Sequence, residues 1–233
     1  MVYFVTGTDT DSGKSLISAA LLSQALGQKC GFKPVASDCE LTPDGLRNTD
    51  AKMLIEQSNM GLSYQAVNPI CFQAAIAPHI AAKQLGTTLN AQLICDAVFN
   101  PAMIAADFAL IEGAGGWRLP LGYGEYLSDT AKLLRDKLAQ QHHHGDIAPA
   151  LQVIIVVGMK LGCLNHALLT QEAVLADGFI IAGWVANQVD PNMAFMEENL
   201  LSLKHMMQSP FLGYVPFLTL ASAEHAAPYL QQL

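Results

Sequence analysis

Short apolar runs alternate along the chain with longer segments whose apolar residues recur at helical spacing. The strand-like runs are Val2–Thr6, Lys29–Lys33, Phe108–Ile111, Val153–Val157, Ile180–Val185 and Phe211–Val215. The helical patterns are Leu16–Leu26, Asp50–Gln57, Ala91–Val98, Tyr126–Ala139, His166–Ala176 and Met193–Met207. This alternation predicts an α/β fold with a doubly wound, mostly parallel sheet and helices on both faces. Ligands of such sheets bind outside the carboxyl ends of the strands.

The first strand-like run leads into a small polar loop and then a helix that opens with Gly-Lys-Ser. This layout predicts a phosphate cradle, in which Lys14 neutralises the anion and Ser15 can ligate Mg²⁺. The usual spacing asks for glycine where Thr8 stands, and Gly7 lies one residue too early. A chance helix start is the alternative, but the flanking strand and helix favour the loop of a P-loop NTPase-like fold. The predicted nucleotide-binding residues of this loop are Thr8, Asp9, Thr10, Asp11, Ser12, Gly13, Lys14 and Ser15.

Charged residues also stand at or near later strand ends. Lys33 precedes a proline-stiffened loop, which brings an ammonium group near the mouth of the sheet; a solvated surface lysine is the alternative. Asp50 stands in the first turn of a helix capped by Asn48, where its charge suits the helix dipole. Glu112 ends a buried strand, a geometry that presents a carboxylate to Mg²⁺ or its waters. The glycines after it, including Gly115, let backbone approach an anion, unless they only form a tight turn.

Two further segments allow a functional and an ordinary interpretation. The segment 158–166 joins a strand to a helix whose free N–H groups could receive a carboxylate. The alternative there is a plain connection with Asn165 as the helix cap. The polar loop around His142–His144 suggests a metal site, but consecutive side chains in an extended loop point in different directions, which favours a solvated loop.

Composition narrows the class of protein. The 233 residues suit one domain spanning 1–233, and 52% hydrophobic against 14% charged residues implies extensive burial. A net charge of −8 without a Lys/Arg cluster argues against nucleic acid and anionic membranes as partners. No apolar run approaches the roughly 18 residues of a membrane span, and no cationic signal peptide is present. Five widely spaced cysteines without a C-x-x-C pair predict free thiols in a reducing cytoplasm.

Six motifs in order resemble the dethiobiotin synthetase family over nearly the whole chain, from Val2 to about Phe217. They are the loop Gly7–Ser15, Lys-Pro-Val-Ala-Ser at Lys33–Ser37, Gly-Leu-Arg-Asn-Thr-Asp at Gly45–Asp50, Glu-Gly-Ala-Gly-Gly-Trp at Glu112–Trp117, Lys-Leu-Gly-Cys-Leu-Asn-His at Lys160–His166, and Gly-Trp-Val-Ala-Asn at Gly183–Asn187. In this family the shifted glycine of the phosphate loop is normal. The resemblance implies a Mg²⁺- and ATP-dependent cyclo-ligase of biotin biosynthesis. It would convert 7,8-diaminononanoate and CO₂ to dethiobiotin through a carbamate and a carbamic–phosphoric anhydride.

The resemblance also implies roles for individual residues. The catalytic residues would be Lys14, Lys33 and Thr10, and the metal ligands Ser15, Asp50 and Glu112. Substrate contacts would come from Ser37, Leu161, Gly162 and Asn165, partly across the interface of a homodimer. Nucleotide contacts beyond the loop would come from Glu112, Gly115, Asn187, Gln188, Pro216, Phe217, Leu218 and Glu224.

Three other classes of protein compete with this interpretation. A nucleotide-dependent switch or partitioning ATPase of similar fold would carry a second lysine early in the loop, but Asp9 stands there. An amidoligase for large cofactor precursors would need a glutaminase domain, for which the chain has no room. A catalytically inactive binding module is disfavoured, because the chain has a residue for each of the charged catalytic and metal-binding roles that the resemblance implies.

Overall fold

The computed structural model describes residues 1–141 and 151–233, so the predicted loop His142–His144 lies outside the described residues. Within these ranges, six strands pair in parallel in the order β12-β11-β10-β1-β7-β2. Their near-continuous apolar runs are typical of strands that are covered on both faces. The strands are β1 Val2–Gly7, β2 Lys29–Phe32, β3 Val35–Ala36, β4 Glu40–Thr42, β5 Gly45–Arg47, β6 Ile70–Cys71, β7 Phe108–Gly116, β8 Pro120–Gly122, β9 Glu125–Tyr126, β10 Leu151–Met159, β11 Ile181–Gln188 and β12 Phe211–Val215.

Helices cover both faces of this sheet. They are α1 Lys14–Gln24, α2 Thr49–Glu56, α3 Tyr64–Val67, α4 Pro78–Gln84, α5 Ala91–Val98, α6 Ala102–Ala105, α7 Leu127–Gln140, α8 Cys163–Ala176, α9 Met196–Met206 and α10 Ala223–Ala226, followed by a 3₁₀ turn at Ala227–Tyr229. The predicted α/β fold, with a parallel sheet and helices on both faces, is confirmed.

Alternate residues of β1 enter two separate cores. Val2 and Phe4 pack with the helices α5, α7 and α8, whereas Tyr3 and Val5 pack with α1 and α2. Successive side chains of a strand point to opposite faces, so an apolar run fills both cores at once. The strand that leads into the polar loop is therefore held from both sides.

All six predicted strands and all six predicted helices are present; Phe211–Val215 and Ala91–Val98 have the predicted ends, and the others have shifted ends. The helix α1 begins at Lys14 rather than Leu16, and α8 begins at Cys163 rather than His166. Gly162 is the N-cap of α8, so the alternative in which Asn165 caps this helix is wrong. The helix α9 begins only at Met196, because Phe195 adopts a left-handed φ of 54°.

The sequence patterns did not predict the small elements between β2 and β7. The hairpin β4–β5, the short pair β3–β6 and the helix α4 all lie there. The strands of this region have two or three residues each, too few to produce a periodic pattern. Among the described residues, no helix has the length and apolar character needed to cross a membrane.

Candidate active site

The polar loop between β1 and α1 is fixed by the neighbouring strand β10. The Thr8 N–H donates to the Val156 carbonyl (3.0 Å), and the Gly158 N–H donates to the Thr8 hydroxyl (3.3 Å). The turn into the helix uses left-handed backbone at Asp11 (φ 60°) and Gly13 (φ 87°). The predicted phosphate loop thus has the strand–loop–helix layout that its motif requires.

Asn187 anchors this loop from the end of β11. Its side-chain amide donates to the Ser12 carbonyl (3.0 Å), and the residue is buried. A Cβ atom on Gly13 would lie 2.0 Å from the Asn187 Nδ2 atom. Glycine at position 13 is therefore required both by its φ and by the asparagine beside it. Asn187, predicted as a nucleotide contact, shapes the loop backbone in this structure.

Lys14 points back across the loop. Its ammonium group donates to the Asp9 carbonyl (3.1 Å), and the side chain is largely buried. Burial, and then the nearby positive charge of Lys33, lower the pKa of Lys14. A cation held under these conditions lacks full charge compensation, which suits the binding of a phosphate anion.

Three further charged groups meet directly after β2, within β7 and at the start of α2. Glu112 lies four residues before the end of β7 at Gly116, so the prediction that it ends its strand is wrong. The Lys33 ammonium donates to Glu112 (2.5 Å) and to Asp50 (2.7 Å), and the Ser15 hydroxyl donates to the same oxygen of Glu112 (2.7 Å). Burial alone would lower the pKa of Lys33, but Glu112 and Asp50 together raise it. Burial would raise the pKa of Asp50, yet the charge and hydrogen bond of Lys33 lower it. Lys33 is thus a buried ammonium rather than a surface lysine, and Asp50 follows the Asn48 cap as predicted.

The donor set of this cluster fits a hard divalent cation. Glu112 is fully buried, and its Oε2 atom finds no hydrogen-bond partner among the described residues. Ser15, Glu112 and Asp50 offer oxygen ligands only, which Mg²⁺ prefers. Residues 1–141 and 151–233 hold no group of three or more His, Cys, Asp or Glu side chains arranged for a metal. Mg²⁺ is usually held by one or two carboxylates together with substrate phosphates and water, so two carboxylates and a hydroxyl are sufficient.

A cleft of about 810 Å³ opens over these groups. It is lined by Thr10, Asp11, Gly13, Lys14, Ser15, Lys33, Ala36, Ser37, Asp38, Asn48, Thr49, Asp50, Ala75, Ile76, Ala77, Pro78, Ala114, Gly115 and Leu119. Both predicted lysines, Thr10 and Ser37 therefore share one cavity. The wall formed by residues 75–78 was not predicted; the only sequence signal is Pro78, which suits the first turn of α4.

Other predicted residues lie outside the lining of this cleft. The side chain of Leu161 is 97% exposed, and Gly162 (φ 94°) and Asn165 stand at the start of α8. Lys160, beside them, pairs with the Asp9 carboxylate of the loop (2.6 Å). This ion pair joins the α8 end of the site to the phosphate loop.

The residues predicted to surround the base form a separate group. Gln188 accepts hydrogen bonds from the Tyr214 hydroxyl (2.5 Å) and the Phe217 N–H (3.4 Å). Leu218 packs against the core that contains α1, and Glu224 lies in the first turn of α10, which contacts α1. Pro216 directly follows β12.

The fold and the loop define a P-loop nucleotide-binding protein of the parallel α/β class. Two solved structures share the fold, each with a TM-score of 0.53 and 16% identity: the signal recognition particle receptor FtsY of Elizabethkingia anophelis in complex with GDP, and the cell division protein FtsY of Thermotoga maritima. Both alignments cover 100% of this chain, but only 60% and 65% of those chains. At this identity the likeness concerns the fold alone.

Sequence comparisons identify the family. The profile of a family described as an AAA domain matches residues 1–225. The ATP-dependent dethiobiotin synthetase BioD of Pseudomonas aeruginosa PAO1 is 48% identical over 231 residues, covering 98% of this chain and 95% of that protein. The enzymes of the same name from Cellvibrio japonicus and Aeromonas salmonicida are 46% and 43% identical, covering 98% and 92% of this chain and 94% and 90% of theirs. The chain belongs to the dethiobiotin synthetase family, a family of ligases of biotin synthesis, and the predicted resemblance is confirmed.

Proposed function

We propose that the protein closes the ureido ring of dethiobiotin from 7,8-diaminononanoate, CO₂ and ATP. The observation that carries this proposal is that Lys14, Ser15, Lys33 and Asp50 line one cleft, with the buried Glu112 bonded to Ser15 and Lys33 behind them. Phosphoryl transfer needs positioned charge more than a covalent catalyst, and this cluster provides charge of both signs. Family membership supports the choice of substrates.

The residues around the cleft have different roles in this reaction, according to their positions. One amine of the diamine captures CO₂ as a carbamate. A carbamate oxygen then attacks the γ-phosphorus of ATP, the bond from that phosphorus to the bridging oxygen breaks, and ADP leaves, which gives a carbamic–phosphoric anhydride. Lys14 and the loop N–H groups bind the phosphates, while Lys33 balances charge between carbamate and phosphate. Thr10 donates a hydrogen bond to phosphate or carbamate from the rim, and Ser37 contacts the diamine end. The second amine then closes the ring and expels phosphate; an oriented intramolecular amine acts at an effective molarity of roughly 10⁵ M or more.

Ser15, Asp50 and Glu112 would hold Mg²⁺, directly or through water. When bound, the cation neutralises charge on the phosphates. Lys33 contacts both carboxylates of this set, so the carboxylates position the ammonium as well.

Substrate recognition beyond the cleft is also part of the proposal. Leu161, Gly162 and Asn165 at the N-terminal end of α8 would bind the distal carboxylate of the diamine in a homodimer. Lys160 ties that end to the loop through Asp9. Gly115 would approach the phosphates.

The remaining predicted contacts concern the nucleotide. Asn187, Gln188 and the segment 216–218 would contact the adenine, and Glu224 the sugar. We propose further that residues 1–233 act as one cytoplasmic domain.

A coupled assay tests the proposal. Protein with Mg-ATP, bicarbonate and diamine should release phosphate and dethiobiotin in equal amounts, and no phosphate when the diamine is left out. Phosphate release at the same rate without diamine would contradict the synthetase and favour a switch-type ATPase. Lys137→Met is a suitable control variant, because Lys137 pairs with Asp96 and is absent from the cleft lining.

A further inference from the structure

The junction between β10 and α8 packs directly against the loop between β1 and α1. The Lys160 ammonium lies 2.6 Å from the Asp9 Oδ2 atom of that loop. A Cβ atom on Gly158 would lie only 2.9 Å from the Ser12 Cα atom, so the end of β10 is in close contact with the loop backbone. The Lys160 carbonyl accepts from the N–H of Cys163, the first residue of α8 (3.0 Å). Lys160 is therefore held by the helix at its backbone and by the loop at its side chain.

The loop Gly7–Ser15 carries more acidic than basic charge. It contains the aspartates Asp9 and Asp11 but Lys14 as its single basic residue. A triphosphate is strongly anionic, so a carboxylate without a counter-charge in this loop would weaken nucleotide binding. Asp11 is exposed to water, which screens its charge, whereas Asp9 is partly buried. The charge that most needs a partner is therefore that of Asp9.

Asp9 also contacts the lysine of the loop. Its backbone carbonyl accepts a hydrogen bond from the Lys14 ammonium (3.1 Å). Burial, and then the charge of Lys33, lower the pKa of Lys14, whereas the Asp9 charge acts in the opposite direction. The Asp9 Oδ1 atom is buried and has no hydrogen-bond partner among the described residues. A carboxylate in this position would compete with a phosphate for the Lys14 ammonium unless another cation held it.

Lys160 provides that cation. We propose that Lys160 is a positioning residue of the phosphate loop, which neutralises Asp9 and so leaves the Lys14 ammonium free to bind a nucleotide phosphate. His166, in the first turn of α8, lies 3.9 Å from the same Asp9 oxygen, so Lys160 is the closer partner. The kinetic test of this role rests on the proposed function, whereas the binding test needs only the nucleotide site.

The ion pair should contribute little to folding. The side chains of Lys160 and Asp9 are 37% and 27% exposed, and water screens pairs of this kind. Lys160→Met should therefore shift the thermal unfolding midpoint by no more than about 3 °C. The matched control is Lys137→Met, because the Lys137 side chain is 33% exposed and lies 2.7 Å from an aspartate, Asp96. Neither residue of the control pair lines the cleft.

Calorimetric titration with Mg-ATP tests the proposed role. Lys160→Met should bind ATP about tenfold more weakly than the wild type, the size expected when one charge near the bound anion loses its partner. Lys160→Arg should bind ATP as the wild type does, because the positive charge is kept. The double variant Asp9→Asn/Lys160→Met should recover most of the affinity, because no unpaired carboxylate remains in the loop. Lys137→Met should also bind like the wild type.

Two binding results would overturn the proposal. One is a Lys160→Met protein that binds ATP as tightly as the wild type. The other is a double variant that binds as weakly as Lys160→Met, since the lysine would then act through something other than Asp9.

Steady-state kinetics separates this role from a direct contact with the substrate. In Lys160→Met the KM for ATP should rise while the KM for the diamine stays unchanged. A rise in the KM for the diamine alone would show that Lys160 contacts that substrate, and the proposal would be wrong. Wild-type protein that binds Mg-ATP but forms no dethiobiotin would contradict the proposed function, and the binding comparison would still decide the role of Lys160.

Discussion

The Lys33 ammonium and the Glu112 carboxylate form an ion pair of 2.5 Å between two buried side chains. Removing one partner leaves the other charge without compensation in the interior, which typically costs about 3–5 kcal/mol. The pair therefore matters to stability as well as to the proposed chemistry, and the two roles can be measured separately.

Lys33→Met should abolish product formation and lower the free energy of unfolding by about 3–5 kcal/mol. The double variant Lys33→Met/Glu112→Gln should recover part of this stability, because it no longer buries a carboxylate without a counter-charge. It should recover no activity. Urea denaturation of the wild type, both single variants and the double variant gives the coupling energy. Strictly additive losses would mean that the two residues do not interact.

Lys14→Met should remove activity without destabilising the fold. The ammonium makes one hydrogen bond to a carbonyl, worth about 1 kcal/mol, while burial and Lys33 oppose its charge. Because the folded-state pKa of Lys14 is lowered, its charged form weakens the folded state until the pH rises through that pKa. A neutral side chain removes this penalty at pH 7.

We therefore expect product formation to fall about 10²-fold or more, with unfolding unchanged within about 1 kcal/mol. Lys137→Met, measured beside it, should retain activity. A Lys14→Met protein that unfolds in mild urea would show that the lysine is structural.

Asp50→Asn should reduce the loss of folding stability that occurs as the pH becomes acidic. The pKa of Asp50 is lowered below 3.8 in the folded protein, chiefly by Lys33 against burial. Its stabilising contribution is therefore fully present above that pH and is lost as the pH falls through the folded-state pKa. Urea midpoints measured from about pH 6 to about pH 3 should fall less steeply for Asp50→Asn than for the wild type. Parallel curves would exclude the ion pair as a source of acid lability.

Gly13→Ala should lose both stability and nucleotide binding. The substitution meets a φ of 87° and places a Cβ atom 2.0 Å from Asn187 Nδ2. Gly122→Ala is the matched control, because its φ is 102° but nothing lies within 4 Å of an added Cβ. The control should lose only the backbone strain of about 1–2 kcal/mol and keep ATP affinity. Equal effects of the two substitutions, by calorimetry and thermal unfolding, would show that the contact with Asn187 is unimportant.

The main framework could be predicted from the sequence for a physical reason. Strands buried on both faces need continuous apolar runs, and the helices between them need a periodic face. Ser15, Lys33 and Glu112 could be expected to converge, because the carboxyl ends of parallel strands share one edge of the sheet.

The details of the site depend on strand order and on contacts between distant residues. Lys33 meets Glu112 because β2 lies beside β7, which no local pattern reveals. The Asn187 amide reaches the Ser12 carbonyl from 175 residues away. The cleft wall at residues 75–78 and the hairpin β4–β5 are too short to carry periodicity, so no periodic pattern could reveal them.

The position of β1 in the middle of the sheet determines which parts of the protein unfold last. Its amides and carbonyls are bonded to β10 on one side and β7 on the other, and its side chains enter both cores. Such a strand exchanges its backbone hydrogens only near global unfolding, whereas short peripheral pairs such as β4–β5 fray first. Partly opened molecules therefore keep the strand that leads into the loop between β1 and α1 while the β4–β5 hairpin has come apart.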